Sequence, residues 1–141
     1  MAKFRVAGNT QVSFDDSNGT LRNMTQYVDT MGAIGRQFAP LDVTSFNDTA
    51  ERFIAGIEQS QEFTVEGHFD DTGTTGPDAV FALLVGTLGS FRFDPKGTAA
   101  GSRRFTTEVL CTGYQVTASV KERVSYSASF KQDGTMTVGT V

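Results

Sequence analysis

The stretch that decides the fold is "VSYSASFKQDGTMTVGTV", residues Val124–Val141. Apolar side chains alternate along it with Ser and Thr. Successive side chains of a β-strand point to opposite faces of the sheet, so this alternation predicts a strand with one buried face. The other face would carry short hydroxyls and almost no charge. The side chains predicted to be buried are Val124, Tyr126, Ala128, Phe130, Met136 and Val138.

Residues 132–134, Gln-Asp-Gly, have the composition of a turn inside this segment. A two-residue Asp-Gly loop would place Lys131 opposite Met136, which puts a charge beside a core side chain. A three-residue loop pairs Phe130 with Met136 instead and gives Gly134 the left-handed conformation that such loops need. We therefore predict a hairpin closed by residues 132–134.

Three further segments alternate in the same way: "QEFTVEGHFD" (61–70), "RRFTTEVLC" (103–111) and "GYQVTASVK" (113–121). The last two are predicted to be adjacent strands. Shorter strands are predicted at residues 4–6, 12–14, 21–27 and 90–93, with a hairpin turn at "DDSNG", residues 15–19. The predicted inward side chains of the three alternating segments are Phe63, Val65, Phe69, Phe105, Thr107, Val109, Cys111, Tyr114, Val116, Ala118 and Val120.

One helix is predicted in "GPDAVFALLVG", residues 76–86. Pro77 suits the first helical turn, and Asp78 lies beside the positive end of the helix. Gly86 or Gly89 would end it. We expect this helix to cover one open end or face of the β-structure.

About thirty residues, 29–60, connect two predicted strands. A compact domain seldom keeps such a long connection without a function for it. Its apolar side chains make it too hydrophobic for a disordered linker, so we expect it to dock against its own domain or another subunit. These side chains are Phe38, Leu41, Val43, Phe46, Phe53, Ile54 and Ile57.

The chain of 141 residues, with 15 Gly and no Trp, predicts a single mostly-β domain over residues 1–141. We expect a β-sandwich of two antiparallel sheets, one flanking α-helix and the long inter-strand loop. The longest apolar run, residues 79–88, is too short to span a bilayer, and no signal peptide is apparent. We therefore expect synthesis in a cytoplasm and no membrane partner.

Catalytic and metal chemistry find little support in the sequence. A single His68 and a single Cys111 cannot build a Cys/His zinc site, and Cys111 reads as a small buried side chain. His68 has acidic neighbours on its strand but no nucleophile tied to it by spacing. Asp15, Asp16, Asp70 and Asp71 lack the ligand spacing of a calcium loop. We therefore predict no enzyme activity and no cofactor.

Three stretches together resemble the major tail tube proteins of long, non-contractile-tailed bacteriophages, the siphophages. They are "LDVTSFNDTAERFIAG" (41–56), "EFTVEGHFDD" (62–71) and "YSASFKQDGTMTVGT" (126–140). Order and spacing agree from about residue 4 to the end of the chain. Many relatives carry Thr-Arg-Gly near the end, where this chain has Thr137, Val138 and Gly139.

The resemblance implies a structural virion protein whose subunits join their sheets into hexameric rings. The rings stack head-to-tail into a hollow tube around a tape-measure protein. Tail terminator and tail-tip or baseplate proteins are further implied partners. Genome DNA passes through during ejection without specific binding. The implied location is the virion tail, assembled in the host cytoplasm. Residues 29–60 are then the predicted stacking loop, with inter-ring contacts at Phe38, Leu41, Phe46 and Phe53. The N-terminal segment and the final strand are weaker candidates for contacts between rings.

The charge of the chain is consistent with such a conduit. The net charge of −4 gives a hexamer of about −24, and an acidic or neutral wall would let DNA slide where a basic wall would hold it. Glu62, Glu66 and Asp70, on the polar side of one predicted strand, are the predicted lumen-lining residues. Two alternatives remain open: another self-assembling β-rich virion protein, such as a decoration or pilus-like subunit, and a carbohydrate-binding β-sandwich. The absence of Trp argues against the second.

Overall fold

The structure is a computed structural model that describes residues 10–141, and β-strands form most of it. The predicted strand at residues 4–6 lies outside the described residues. Residues 25–27 form a short 3₁₀ turn. The elements in chain order are β1 Gln11–Asp15, β2 Leu21–Asn23, β3 Thr30–Met31, β4 Phe38–Asp42, β5 Phe53–Glu58, β6 Glu62–His68, α1 Pro77–Leu84, β7 Leu88–Asp94, β8 Arg103–Ser119 and β9 Glu122–Thr140.

Two antiparallel sheets are present, as predicted. Seven strands form the first in the order β2-β1-β7-β8-β9-β6-β3, and β4 and β5 form the second. The expected turn at residues 15–19 joins β1 to β2: the Asp16 carboxylate accepts the N–H groups of Asn18 and Thr20, both at 2.9 Å. The mostly-β prediction with one helix is confirmed.

The seven-stranded sheet curls so that it supplies both walls of the core. Strands β1 and β9 are three positions apart in the sheet, about 14 Å if the sheet were flat. Yet the rings of Phe14 on β1 and Phe130 on β9 stack with centroids 4.6 Å apart. Phe63 on β6 and Phe91 on β7, also three strands apart, lie 5.0 Å from each other. These contacts require the two halves of the sheet to face each other.

Helix α1 covers the core, as the sequence predicts. Pro77 occupies the first turn, and Val80, Phe81 and Leu84 are buried. The Phe81 ring meets Phe14 edge-on at 5.2 Å. Gly86, one of the two predicted stop positions, has φ +82° just past the helix end.

The predicted hairpin at residues 132–134 is wrong. Strand β9 runs without a turn through this region and pairs with β8 along its whole length, from Glu122 opposite Ser119 to Thr140 opposite Arg103. Gly134 does adopt the left-handed conformation, with φ +83°, but within a bulge where residues 134–136 of β9 face Thr107 alone. The two segments predicted as adjacent strands, 103–111 and 113–121, instead form the single strand β8.

The long β8–β9 hairpin has a core half and a projecting half. Thr107, Val109 and Cys111 on β8 are buried as predicted. Tyr114 still packs against the core, but beyond it the hairpin extends past the core. The predicted burial of Val116, Ala118 and Val120 is wrong because nothing among residues 10–141 covers them. The predicted burial of Val124 and Val138 on β9 is wrong as well, since they are 41% and 38% exposed.

Strand β6 contains a close backbone contact that the alternation of polar and apolar residues does not predict. Phe63 and Val65 point inward as predicted, and the next inward position is Gly67. A Cβ at Gly67 would lie 1.9 Å from the carbonyl oxygen of Tyr27. The same oxygen accepts a buried hydrogen bond of 2.6 Å from the Tyr126 hydroxyl. Only glycine lets the 3₁₀ turn approach this closely.

Over residues 10–141, no helix has the length and apolar character needed to cross a membrane.

Candidate functional site

The most unusual surface is a two-stranded ribbon made of β4, β5 and the loop between them, which we call the arm (residues 38–58). Leu41 pairs with Ile54, and Asp42 pairs with Phe53. The arm presents a row of exposed apolar side chains: Phe38, Leu41, Val43, Phe46, Phe53, Ile54 and Ile57.

The tip of the arm is held in a defined conformation by short polar bonds. The Asp48 carboxylate accepts the Ser45 N–H at 2.7 Å, and Arg52 N–H donates to the Thr44 hydroxyl at 2.9 Å. Arg52 also lies 3.6 Å from Asp48. These bonds present Phe46, which is fully exposed, at a fixed point of the tip.

Both faces of the arm are apolar. Leu41 and Ile54 share one face, while strand alternation places Phe53 and Ile57 on the other. A two-stranded hairpin alone is marginally stable in water, so a ribbon with two apolar faces is typical of a segment that a partner covers.

The structure brings the four predicted contact residues, Phe38, Leu41, Phe46 and Phe53, together on the arm. Their role in contacts between subunits stays a prediction. The sequence argument did not select Ile57, which is 87% exposed. Ile57 was among the apolar side chains that made residues 29–60 a docking candidate, but nothing in the sequence distinguished it as a contact residue.

A second feature is the pair of open strand edges on the β8–β9 hairpin. Strand β7 pairs with β8 only as far as Leu110, and β6 pairs with β9 only between Ser125 and Lys131. Among the described strands, none covers the outer edge of β8 over residues 113–119 or that of β9 over residues 133–140. The two open edges lie on opposite sides and at opposite ends of the hairpin.

The direction of the β9 backbone groups can be fixed at two points. Val141 N–H donates to the Ser102 carbonyl at 2.8 Å, toward the β8 side. Met136 N–H points away from β8, to the Glu58 carboxylate at 2.8 Å. Because N–H directions alternate along a strand, those of Val138 and Thr140 also point to the open side.

The arm is joined to this open edge by Glu58. Its carboxylate accepts Arg36 Nε at 2.8 Å, Gln132 Nε2 at 2.9 Å and Met136 N–H at 2.8 Å. The Arg36 side chain and the Met136 N–H hold the pKa of Glu58 below its usual range. The carboxylate is therefore ionised at neutral pH.

The outward face of β6 and β9 is the polar surface that the opening segment predicted. Ser125, Ser127 and Ser129 alternate with the buried side chains of β9. Glu66 lies opposite Ser127, and Glu62 lies opposite Lys131 with charged atoms 3.7 Å apart. This face is therefore mainly hydroxylated, with two carboxylates, of which Glu62 is paired with Lys131.

The three predicted lumen residues do not form one row. Glu62 and Glu66 are exposed on the same face of β6, while Asp70 lies past the end of that strand. The Asp70 carboxylate accepts the Thr72 N–H at 2.8 Å and the Thr72 hydroxyl, and these bonds lower the pKa of Asp70. Asp70 is engaged in its own turn.

The side chains considered above for catalysis or metal binding have partners that account for them without such a role. His68 is exposed beside Arg123, which also binds Asp29. Cys111 is buried, and burial raises the pKa of its thiol. Asp16 accepts bonds within its turn and from Arg22 Nε at 3.0 Å. Within residues 10–141, no group of three or more His, Cys, Asp or Glu side chains could hold a metal ion.

Comparison with known proteins finds similarity in structure and none in sequence. No family model matches the chain, and no curated protein matches it. A chain of the SPP1 tail tube superposes on it with a TM-score of 0.68 at 13% identity, covering 97% of this chain and 80% of that chain. The chain has the fold of a tail tube protein.

Two further assemblies contain the same fold. A chain from the tail of an empty gene transfer agent particle, refined with C6 symmetry, gives a TM-score of 0.67 at 16% identity, covering 92% of this chain and 94% of that chain. A chain of the sheath–tube complex of an extracellular contractile injection system gives 0.65 at 8% identity, covering 99% and 94%. The tail tube fold therefore extends over nearly the full length of this chain.

Proposed function

We propose that this protein is a structural, non-enzymatic subunit of a phage-type tail tube, in which rings of identical subunits stack into a hollow conduit. The observation that carries the proposal is the pair of staggered open edges on the β8–β9 hairpin. The tail tube fold and the C6 symmetry of one structure that shares it support rings of six.

Lateral joining uses the two open edges. In a ring all subunits have the same orientation, so β9 of one copy runs antiparallel to β8 of the next. Residues 137–140 of one copy would pair with residues 113–119 of its neighbour, because the Met136 N–H is already bonded to Glu58. The offset between the edges gives each strand pair a stagger, which a closed barrel of tilted strands requires. Closure also removes edges that would otherwise pair without control.

Axial stacking uses the arm. Head-to-tail contacts join two different surfaces and therefore extend into a filament, with the arm as one of them. Phe38, Leu41, Phe46 and Phe53 are the proposed contact residues, and the exposure of Ile57 adds it to them.

The hydroxylated face of β6 and β9 is the proposed lumen wall. Short Ser side chains and the carboxylates of Glu62 and Glu66 give it few groups that could hold a phosphate backbone, and Lys131 on the same face is paired with Glu62. DNA would pass without specific binding, after a tape-measure protein has occupied the same channel. Tail terminator and tail-tip or baseplate proteins would close the ends, and the location would be the virion tail. The sequence resemblance favours a long, non-contractile tail.

The lateral joint is tested by electron microscopy of two variants at one position. Val138→Pro removes an N–H that points to the open side, without removing a bond to β8. Val138→Thr keeps that N–H and the β-branched shape. We expect rings and tubes from wild type and Val138→Thr, and folded monomers from Val138→Pro. Rings from Val138→Pro, or monomers from wild type at every concentration, would refute the proposal.

The axial joint is tested in the same microscope. Phe46→Ser changes a fully exposed arm side chain, and Leu83→Ser changes an exposed apolar side chain outside the arm. We expect Phe46→Ser to give single rings and Leu83→Ser to give tubes of normal length. Normal tubes from Phe46→Ser would remove the arm tip from the stacking contact.

A further inference from the structure

The side chain of Glu58 is almost withdrawn from water, at 7% exposed, although most residues of the arm are exposed. Glu58 is the last residue of β5, and its two carboxylate oxygens accept hydrogen bonds from different parts of the chain. Oε1 accepts Arg36 Nε from the entry to the arm, and Oε2 accepts Gln132 Nε2 and Met136 N–H from β9. One carboxylate thus ties both ends of the arm to a strand far away in sequence.

The contacts around Glu58 continue on either side of it. Gln132 N–H donates to the Gln61 carbonyl at 2.8 Å, and the Ser60 hydroxyl donates to the Gln132 carbonyl. The Gln132 side chain also donates to the Gly134 carbonyl at 2.8 Å. The exit of the arm is therefore bonded to β9 at the bulge that contains Gly134.

This bulge is also where the open edge of β9 begins. The Met136 N–H, which donates to Glu58, points to the open side, as do the N–H groups of Val138 and Thr140. Bonds to an ionised acceptor are about twice as strong as neutral ones, so the position of the bulge and the position of the arm are linked through one strong contact. A strand that pairs with residues 137–140, next to the bulge, would restrict the bulge while the bond between Met136 N–H and Glu58 stays in place.

We propose that Glu58 is a positioning residue that couples ring closure to ring stacking. Resting on the proposed function, the inference is that pairing of the β9 edge with a neighbouring copy fixes the bulge, and the bulge fixes the arm through Glu58. Subunits already joined in a ring would then hold their arms ready for the next ring, and free subunits would hold them less firmly. By linkage, a contact that stabilises the arm also stabilises the paired edge.

The test uses Glu58→Gln, which removes the charge and replaces one acceptor oxygen with a donor nitrogen. Its matched control is Glu51→Gln, the same change at an exposed position of the arm loop. Hydrogen exchange of arm and core amides is measured in unassembled protein and in rings, and tube length is measured by electron microscopy.

We expect Glu58→Gln to raise arm exchange by about tenfold while core exchange stays unchanged, consistent with the loss of a charge-assisted bond. In wild type, ring formation should slow arm exchange, and in Glu58→Gln this slowing should be lost and tubes should shorten several-fold. In the unassembled protein, Glu51→Gln should match wild type in both arm and core exchange. A purely stabilising role would instead raise core and arm exchange together.

Two results would overturn the inference: arm exchange in Glu58→Gln that equals wild type, or wild-type arm exchange that is the same in rings and in free subunits. Failure of the proposed function has a different signature. In that case no rings form from wild type, while the exchange difference between Glu58→Gln and Glu51→Gln in the unassembled protein still reports whether Glu58 holds the arm.

Discussion

The core beneath α1 and the arm are built from the same kinds of side chains, yet one set is enclosed and the other faces water. Phe14, Phe81 and Phe130 are almost completely buried among other rings, while Phe46 and Phe53 are exposed. The difference lies in the surrounding strands: the core lies between two halves of a curled sheet, and the arm is a two-stranded ribbon. A cluster of aromatic residues in the sequence therefore indicates an apolar surface that must be covered. The strand topology determines whether the same chain covers it or a partner does.

The largest expected effect is at the tightest contact of the core. Gly67→Ala should destabilise the fold by more than about 4 kcal/mol, because its Cβ would overlap the Tyr27 carbonyl and displace the Tyr126 hydrogen bond. Gly113→Ala, whose Cβ would meet nothing within 4 Å, should change stability by less than about 0.5 kcal/mol. Urea unfolding of both variants makes the measurement. Equal midpoints would mean that the 3₁₀ turn does not press on β6.

A matched pair of ring deletions compares the two regions directly. Phe130→Ala should cost about 3–5 kcal/mol, since the buried ring contacts Phe14, Phe63 and Phe81. Phe53→Ala on the arm should cost less than about 0.5 kcal/mol in the unassembled subunit. Thermal unfolding at low protein concentration separates them. A large loss from Phe53→Ala would show that the arm packs on its own domain.

A smaller effect is expected where only a polar bond of the core is removed. Tyr126→Phe keeps the ring but leaves the buried Tyr27 carbonyl without this donor, at a cost of about 1–3 kcal/mol. Burial also raises the pKa of Tyr126, so the hydroxyl stays protonated and able to donate at neutral and moderately alkaline pH. Chemical denaturation of wild type and variant gives the difference. Unchanged stability would indicate that water replaces the hydroxyl.

The smallest effect on global stability is expected at the root of the arm. The groups that face the Glu58 carboxylate are Arg36, Gln132 and the Met136 N–H. Glu58 is therefore the carboxyl group of this cluster whose protonation changes as the solution is acidified. Its pKa is lowered in the folded state, so its contribution is complete above the ordinary glutamate pKa and is lost as pH falls through the lowered value. The Met136 amide resonance should follow this titration by NMR. The same titration in Glu58→Gln should be absent; if it persists, another group is responsible.

Local sequence predicted the elements whose partners are nearby in the chain. Helix α1 carries its own start and stop signals at Pro77 and Gly86, and the alternation of Phe63 and Val65 identified the buried face of β6. The position of the left-handed glycine was also predicted correctly, at Gly134. These features depend on short-range sterics and on side-chain periodicity.

The errors came from pairings over long distances. A left-handed glycine fits both a hairpin loop and a bulge, and only the register of β8 against β9 distinguishes them. The true turn at Val120 and Lys121 has no Gly, Asn or Pro to mark it. Glu58 was missed for the same reason: its partner Met136 lies 78 positions further along the chain. The exposed apolar residues of the loop were noticed, but their pairing into an arm was not.

The buried Cys111 has a practical consequence for labelling experiments. It is the only thiol in the chain, it lies in the core, and its raised pKa keeps it in the unreactive protonated form at neutral pH. The folded protein should therefore react only very slowly with maleimide reagents. A single cysteine introduced at the arm tip, Phe46→Cys, would then carry a fluorophore at one known site without removal of the natural thiol.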